Sequence, residues 1–146
     1  FTVRADDFDI NLMQGSIDSV RSCIKEFYAK PNLNAREKGI LSMLEIALEM
    51  KLRGIDFADV DIYQSEATEF VICGENRIRP PLNALPGLGE AAAKNIVAAR
   101  KDGAFTSIEN FMERTGVTKA VLEVLQNHGC LQGLPQSEQI MFFELD

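Results

Sequence analysis

Leu85-Pro86-Gly87-Leu88-Gly89, followed at once by Glu90-Ala91-Ala92-Ala93-Lys94-Asn95-Ile96-Val97, is the stretch from which the fold is read. Two glycines flanking one apolar residue permit a very tight turn, because glycine accepts positive φ and close backbone approach. The alanine-rich segment that follows is a strong helix former. Such a turn leaves the N–H groups near Gly87 to Glu90 unpaired. They point outward at the opening of a helix, where the dipole favours an anion. A DNA phosphate fits this site with no base touched. On this reading Gly87, Leu88, Gly89 and Glu90 form the turn. Leu88 anchors it inward, and Ala93, Ile96 and Val97 pack the two helices. Lys94 and Arg100 lie on or near the phosphate side.

Twenty-nine residues on, Gly116-Val117-Thr118 echoes Gly87-Leu88-Gly89, with Ala120 matching Ala91 and Leu125 matching Ile96. Gly116 and Lys119 are the backbone-binding candidates of this second copy. Thr118 replaces a glycine and Glu123 stands where the first copy has Lys94, which suits a more structural role. Two hairpins in tandem suit the two strands of one duplex. The competing reading makes each hairpin only a tight turn between packed helices, in a non-catalytic module whose partners are proteins.

Charge speaks for the second reading. The 146-residue chain carries a net charge of −7, and phosphate contacts need Lys and Arg. Residues 1–82 hold −4, residues 83–131 hold 0, and residues 132–146 hold −3. The hairpin segment is thus the least acidic part without being basic, so binding in isolation is expected to be weak.

Composition is that of a soluble globular protein, with 46% hydrophobic residues and no Trp. No apolar run approaches the roughly 20 residues of a membrane span, and no signal peptide opens the chain. Opening on Phe1, the chain reads as a piece of something longer. Cys23, Cys73 and Cys130 are scattered and odd in number, as for reduced thiols in a cytoplasmic protein. With His128 the sole histidine, no zinc site is expected, and no cofactor.

Upstream, Ile10, Met13, Ile17, Val20, Ile24 and Phe27 mark one helical face, with a break near Gly15 and an end at Pro31. Asn34 and Glu37 form a capping box for a second helix. Its stripe is Ile40, Leu44, Leu48 and Leu52, flanked by Leu41, Met43 and Ala47, and Gly54 closes it. Phe70-Val71-Ile72 and Arg77-Ile78-Arg79 flank Gly74-Glu75-Asn76 as a small hairpin. Pro80 and Pro81 open a short helix through Leu85. The fold expected is mainly α with a small β-hairpin, ending in a tandem helix-hairpin-helix domain.

Several residues resemble sites but have plainer readings. Asp6-Asp7-Phe8-Asp9 has the look of a metal-binding carboxylate group, yet acidic residues before a helix commonly cap it. Asp59 and Asp61 read as loop or capping carboxylates. His128, before Gly129, reads as a helix-terminal residue. Arg77 and Arg79 share a strand face, which either touches DNA or is merely solvated.

In order along the chain, these signals resemble the C-terminal end of the bacterial DNA polymerase III alpha subunit, PolC type. FTVRADDFD (1–9), LEIALEMKLRGIDFADVDIYQSEATEF (44–70), IRPPLNALPGLG (78–89), GAFTSIENFMERTGV (103–117) and NHGCLQGLP (127–135) carry the resemblance over essentially the whole chain. It implies a helical segment of the distal fingers (1–54), a small β-hairpin linker (55–80), a tandem helix-hairpin-helix duplex-binding domain (81–133) and a clamp-binding tail (134–146). Its implied partners are double-stranded primer–template DNA, the sliding clamp and the remaining polymerase domains, with no membrane. The family's catalytic aspartates lie in a palm domain outside this sequence, so no catalytic residue is assigned.

The family closes with a clamp-binding peptide of the form Gln-Leu-Ser-Leu-Phe, and Gln139-Ile140-Met141-Phe142-Phe143 occupies that place. It departs at three of five positions. A hydrogen-bonding glutamine with two adjacent large apolar side chains is a sound peptide anchor, which makes Gln139, Ile140, Phe142 and Phe143 the clamp candidates. The plainer alternative is an apolar terminus folded back on its own domain.

Overall fold

A computed structural model describes residues 8–137. The clamp candidates Gln139, Ile140, Phe142 and Phe143 lie outside them, as do Asp6 and Asp7. Mainly helical with a small sheet, the fold has the expected class. The N-terminal apolar face is divided between α1 (Ile10–Met13) and α2 (Ile17–Ala29). Asp9 caps α1, its Oδ1 accepting from the Asn11 N–H at 3.0 Å. Ser16 caps α2, its Oγ accepting from the Ser19 N–H at 3.2 Å. That side chain restarts the helix just past Gly15, where the periodicity is interrupted.

The capping box at Asn34 and Glu37 opens α3 (Ala35–Leu52) with both reciprocal bonds formed. A Schellman motif ends it. Gly54 takes φ +83°, the Ile55 N–H reaches the Met50 carbonyl at 2.9 Å, and the Gly54 N–H reaches Lys51 at 3.0 Å. The buried face is Leu41, Met43, Leu44, Ala47, Met50 and Lys51; of the stripe read in the sequence, Leu44 lies on it and Ile40 and Leu48 are partly buried against the core. Leu52, placed on that stripe, is 55% exposed. The last turn of α3 faces the sheet instead, which requires Met50 and Lys51 inward.

The expected hairpin forms from β2 (Val71–Ile72) and β3 (Arg77–Arg79), antiparallel with Ile72 opposite Ile78. A strand the sequence did not reveal, β1 (Asp56–Phe57), lies parallel on the other side of β3, giving the order β1-β3-β2. Two residues are too few to show an alternation. Past Pro80 and Pro81, a 3-10 turn at Leu82–Ala84 leads to α4 (Glu90–Arg100), α5 (Ile108–Thr115) and α6 (Lys119–Asn127). One continuous core runs through both parts of the chain. Phe8 meets Phe57 and Phe70 edge-on at 5.1 Å in one region of it. Phe105 meets Phe111 at 4.8 Å in another.

Lys51 is the charged residue most deeply enclosed in that core. Its side chain is 4% exposed, and its Nζ lies 2.6 Å from Asp56 Oδ1 and 5.8 Å above the Phe57 ring. Burial alone would raise the Asp56 carboxyl. The hydrogen bonds from Lys51 and from the Phe57 N–H, with the charges of Lys51 and Arg77, outweigh it and hold the group below its ordinary value. A depressed carboxylate contributes stability above its unfolded pKa and loses it as pH falls through the folded one. Asp56→Ala strands the ammonium and is expected to cost about 1–3 kcal/mol in urea denaturation at neutral pH, at the low end because Asp56 itself is open to water. The loss shrinks below roughly pH 4, and Lys51→Met in the same chain restores most of it. An equal cost at pH 7 and pH 3 would show that the ion pair contributes nothing.

Candidate nucleic-acid interface

The first hairpin is built on a β-turn. The Leu88 N–H donates to the Leu85 carbonyl at 3.0 Å, with Pro86 and Gly87 at the two central positions and Gly87 at φ +92°. Proline first and a positive-φ glycine second is the signature of a type II turn. Leu88 points inward, 2% exposed, and Ala93 and Ile96 are fully buried, while Val97 is half-buried against the same core.

Gly89 has a different reason to be glycine. Its φ of −79° and ψ of 173° suit any residue, and a Cβ there would meet nothing within 4 Å. What glycine leaves out is a cap. Gly89 is the N-cap of α4 and offers no side-chain acceptor, whereas Ser16, Asn34, Ser107 and Thr118 each cap α2, α3, α5 and α6. Among the described helices of eight or more residues, α4 alone starts without a side-chain cap. Its first N–H groups remain available to an external acceptor.

The sequence echo has a counterpart in the backbone. Gly116 takes φ +70° where Gly87 has +92°, and Thr118 at −76°, 165° superposes on the Gly89 conformation. Val117 is buried like Leu88, and Leu125 like Ile96. The copies differ in what stands at the helix start. Thr118 Oγ1 accepts from the Val121 N–H at 3.2 Å, so α6 is capped from within. Lys119 is exposed in its first turn. The hairpins meet where a Cβ on Gly87 would come within 3.1 Å of Val124 Cγ2 on α6.

The basic residues are mostly committed. Lys94 pairs with Glu90 one turn away at 2.7 Å, both exposed, and its hydrogen bond and charge hold the Glu90 carboxyl below the usual range. Arg100, expected on the phosphate side, turns instead to the carbonyls of Ser65 (2.5 Å) and Ile62 (3.2 Å) and ties α4 to the segment after β1. Arg114 donates to the carbonyls of Ala99, Gly103 and Ala104 and to Asn110 Oδ1, 4.4 Å over the Phe105 ring. Nothing in local sequence distinguishes these two arginines from surface ones.

A groove of about 410 Å³ runs along the hairpin turn. Its walls include the turn from Pro86 to Gly89, with Arg36 and Ile40 of α3 and Asp9. Asn83 also lines it, and its Oδ1 is buried without a hydrogen-bond partner. The remaining polar candidates have structural roles. Asp61 Oδ1 accepts from the N–H groups of Tyr63 and Gln64. Arg79 donates to the Asp59 carbonyl and Gln64 Oε1, while Arg77 is exposed. His128 is the C-cap of α6, before Gly129 at φ +72°. Burial, with Asp61 and Asp59 nearby, pushes the Cys130 thiol up to about 11, so it is not a nucleophile at neutral pH. Among the described residues no group of three or more His, Cys, Asp and Glu is poised to hold a metal ion, and no helix is long and apolar enough to cross a membrane.

The sequence pattern of the helix-hairpin-helix motif family matches residues 54–141. The chain is 49% identical over 144 residues to the PolC-type DNA polymerase III of Caldanaerobacter subterraneus subsp. tengcongensis, and 48% identical to that of Bacillus subtilis. The Listeria monocytogenes protein of the same name is 46% identical. Each match takes in 98% of this chain and 10% of the relative, so the chain spans about a tenth of the length of the relatives it matches. With one hairpin open at its helix start and a second of the same backbone conformation, the chain belongs to the helix-hairpin-helix motif family, and nearly all of it is homologous to one segment of PolC-type DNA polymerase III.

Proposed function

We propose that this chain is the duplex-holding segment of a replicative DNA polymerase of the PolC type, gripping primer–template DNA by its phosphate backbone without reading sequence. The observation that carries the reading is the start of α4, a helix that begins at a glycine beside a buried-leucine turn and carries no side-chain cap. Gly87, Leu88, Gly89 and Glu90 shape that anion site. Gly116 and Lys119 supply weaker contacts from a helix start that Thr118 already caps. Lys94 joins by exchanging Glu90 for phosphate. Residues 1–54 belong to the distal fingers, 55–80 to the sheet linker, 81–133 to the duplex-binding domain and 134–146 to a tail that tethers the enzyme to the sliding clamp. Polymerisation itself needs the other polymerase domains.

The acidic balance and the committed arginines favour the second reading, a module whose hairpins only pack helices and whose partners are proteins. One substitution separates the two. Aspartate is among the best N-cap residues and costs nothing in space at position 89. Gly89→Asp should therefore leave the melting temperature unchanged or slightly raised, while its charge occupies the phosphate position. In anisotropy titrations, wild-type chain should bind duplex of any sequence with a log–log salt slope equivalent to roughly two to four phosphates, and Gly89→Asp should not bind. Gly87→Ala is the contrasting control, losing about 1–2 kcal/mol of stability from its positive φ and the Val124 contact. Absence of duplex binding at low salt, or equal binding by Gly89→Asp, would transfer the assignment to the protein-interaction reading.

The tail has its own test. A peptide of residues 135–146 should bind the clamp, with Gln139→Ala plus Phe143→Ala abolishing the signal. No binding by the unmodified peptide at high micromolar concentration removes the tether from the proposal and leaves the hairpin untouched.

A further inference from the structure

We infer that Arg36, on the first turn of α3, is a phosphate-contacting residue that completes the hairpin grip from the N-terminal helical segment; the inference rests on the duplex-binding reading. Arg36 lines the same groove as the turn from Pro86 to Gly89, although it lies about fifty residues away in sequence. It is exposed, and its side chain makes no hydrogen bond or ion pair with the other described residues.

Three of the five cations of residues 83–131 are otherwise occupied, and the other two, Lys101 and Lys119, do not line the groove. Lys94 is matched by Glu90, and Arg100 and Arg114 are fastened to backbone carbonyls. An anion at the uncapped start of α4 therefore has Arg36 as the available side-chain positive charge in the groove. Asp9, which also lines the groove, is the charge that opposes such an anion, with one oxygen engaged in capping α1. Arg36 also stands where a cation is electrostatically disfavoured, in the first turn of a helix beside the capping Glu37. That placement gives nothing to helix stability, but it carries a long guanidinium to the groove, where its fork matches a phosphate. Contact to backbone oxygens predicts a loss that is uniform over DNA sequences.

The test is duplex binding by the 146-residue chain across a salt series, comparing wild type with Arg36→Ala, Arg36→Glu and Gly89→Asp. Arg21→Ala, at an exposed residue of α2 away from the groove, is the charge control. Arg36→Ala is expected to lower the log–log slope by about 0.9, one phosphate, and to weaken low-salt binding about 3- to 10-fold on every sequence. Arg36→Glu should weaken it further, with melting temperatures unchanged in both. The inference is overturned if Gly89→Asp abolishes binding while Arg36→Ala leaves slope and affinity at wild-type values; the hairpin reading then stands alone. An equal effect of Arg21→Ala also overturns it, because the loss then reflects net charge. If wild type fails to bind duplex, or Gly89→Asp binds like wild type, the hairpin reading fails and takes this inference with it.

Discussion

Gly87 sits where two demands meet in one residue. The turn that buries Leu88 needs a positive φ at this position, and the second hairpin needs the space a side chain would fill, because Val124 stands 3.1 Å from any Cβ there. A left-handed backbone with a neighbour pressed against it is open to glycine and to almost nothing else. Much follows from that one contact. The close approach places the first hairpin turn beside α6, with Leu88 and Ile96 in a common core and Gly89 with the start of α4 on the outside. Each hairpin thus helps to fix the other, and the open helix start is a consequence of how they pack.

The arginines have a part in this arrangement that charge counting hides. Backbone carbonyls of the 62–65 segment and at the end of α4 converge on two arginines. Those of Ile62, Ser65 and Ala99 are partly buried, where an acceptor left unpaired costs about 1–3 kcal/mol, and those of Gly103 and Ala104 are exposed. Arg100 satisfies two of them, at Ile62 and Ser65, and Arg114 satisfies three, at Ala99, Gly103 and Ala104. A five-donor guanidinium serves several carbonyls at once, which a lysine does not do from one position. The same segment takes a second fastening from Tyr63, whose ring stacks on Phe105 and whose hydroxyl accepts the Phe105 N–H. In this way the linker after β1 is bonded to α4 and to the loop that leads into α5. Arg100 and Arg114 are therefore structural, whatever their charge contributes to the sum.

What the sequence made legible was local. The capping box at Asn34 and Glu37, the helix stop at Gly54 and the turns at Pro86-Gly87 and Gly116 each involve residues within five positions of one another. Their chemistry is written in residue type and spacing. The β2–β3 hairpin belongs with them, since its turn residues lie between its strands. Three features that escaped are long-range. β1 is two residues whose partner lies about twenty positions away, the inward face of α3 is set by what covers it, and the Arg100 carbonyls lie 35 and 38 residues back. The α3 case is instructive, because the stripe at Ile40, Leu44 and Leu48 with its flanking residues packs on the core, and the reading fails only in the last turn, where Met50 and Lys51 are inward in place of Leu52. A helix covered by α1 and α2 along its length, and by Asp56 and Phe57 at its last turn, buries a broad arc, and periodicity locates such an arc poorly.

The acidic balance of the chain is less of an obstacle to backbone binding than the net charge implies. A phosphate at a helix start is held by N–H dipoles at fixed positions, and these interact within the first turn rather than over the length of the protein. The excess negative charge belongs to the N-terminal part and the tail, outside residues 83–131 where the balance is zero. Screening at physiological salt leaves charges more than about 8 Å apart with little influence on one another. Local geometry can then favour an anion on a surface whose sum repels it, at a cost in long-range attraction and hence in encounter rate. A segment covering a tenth of its relatives' length need not supply that attraction itself, so for the proposed duplex binding this division of charge predicts an isolated affinity that is weak and only modestly salt-dependent.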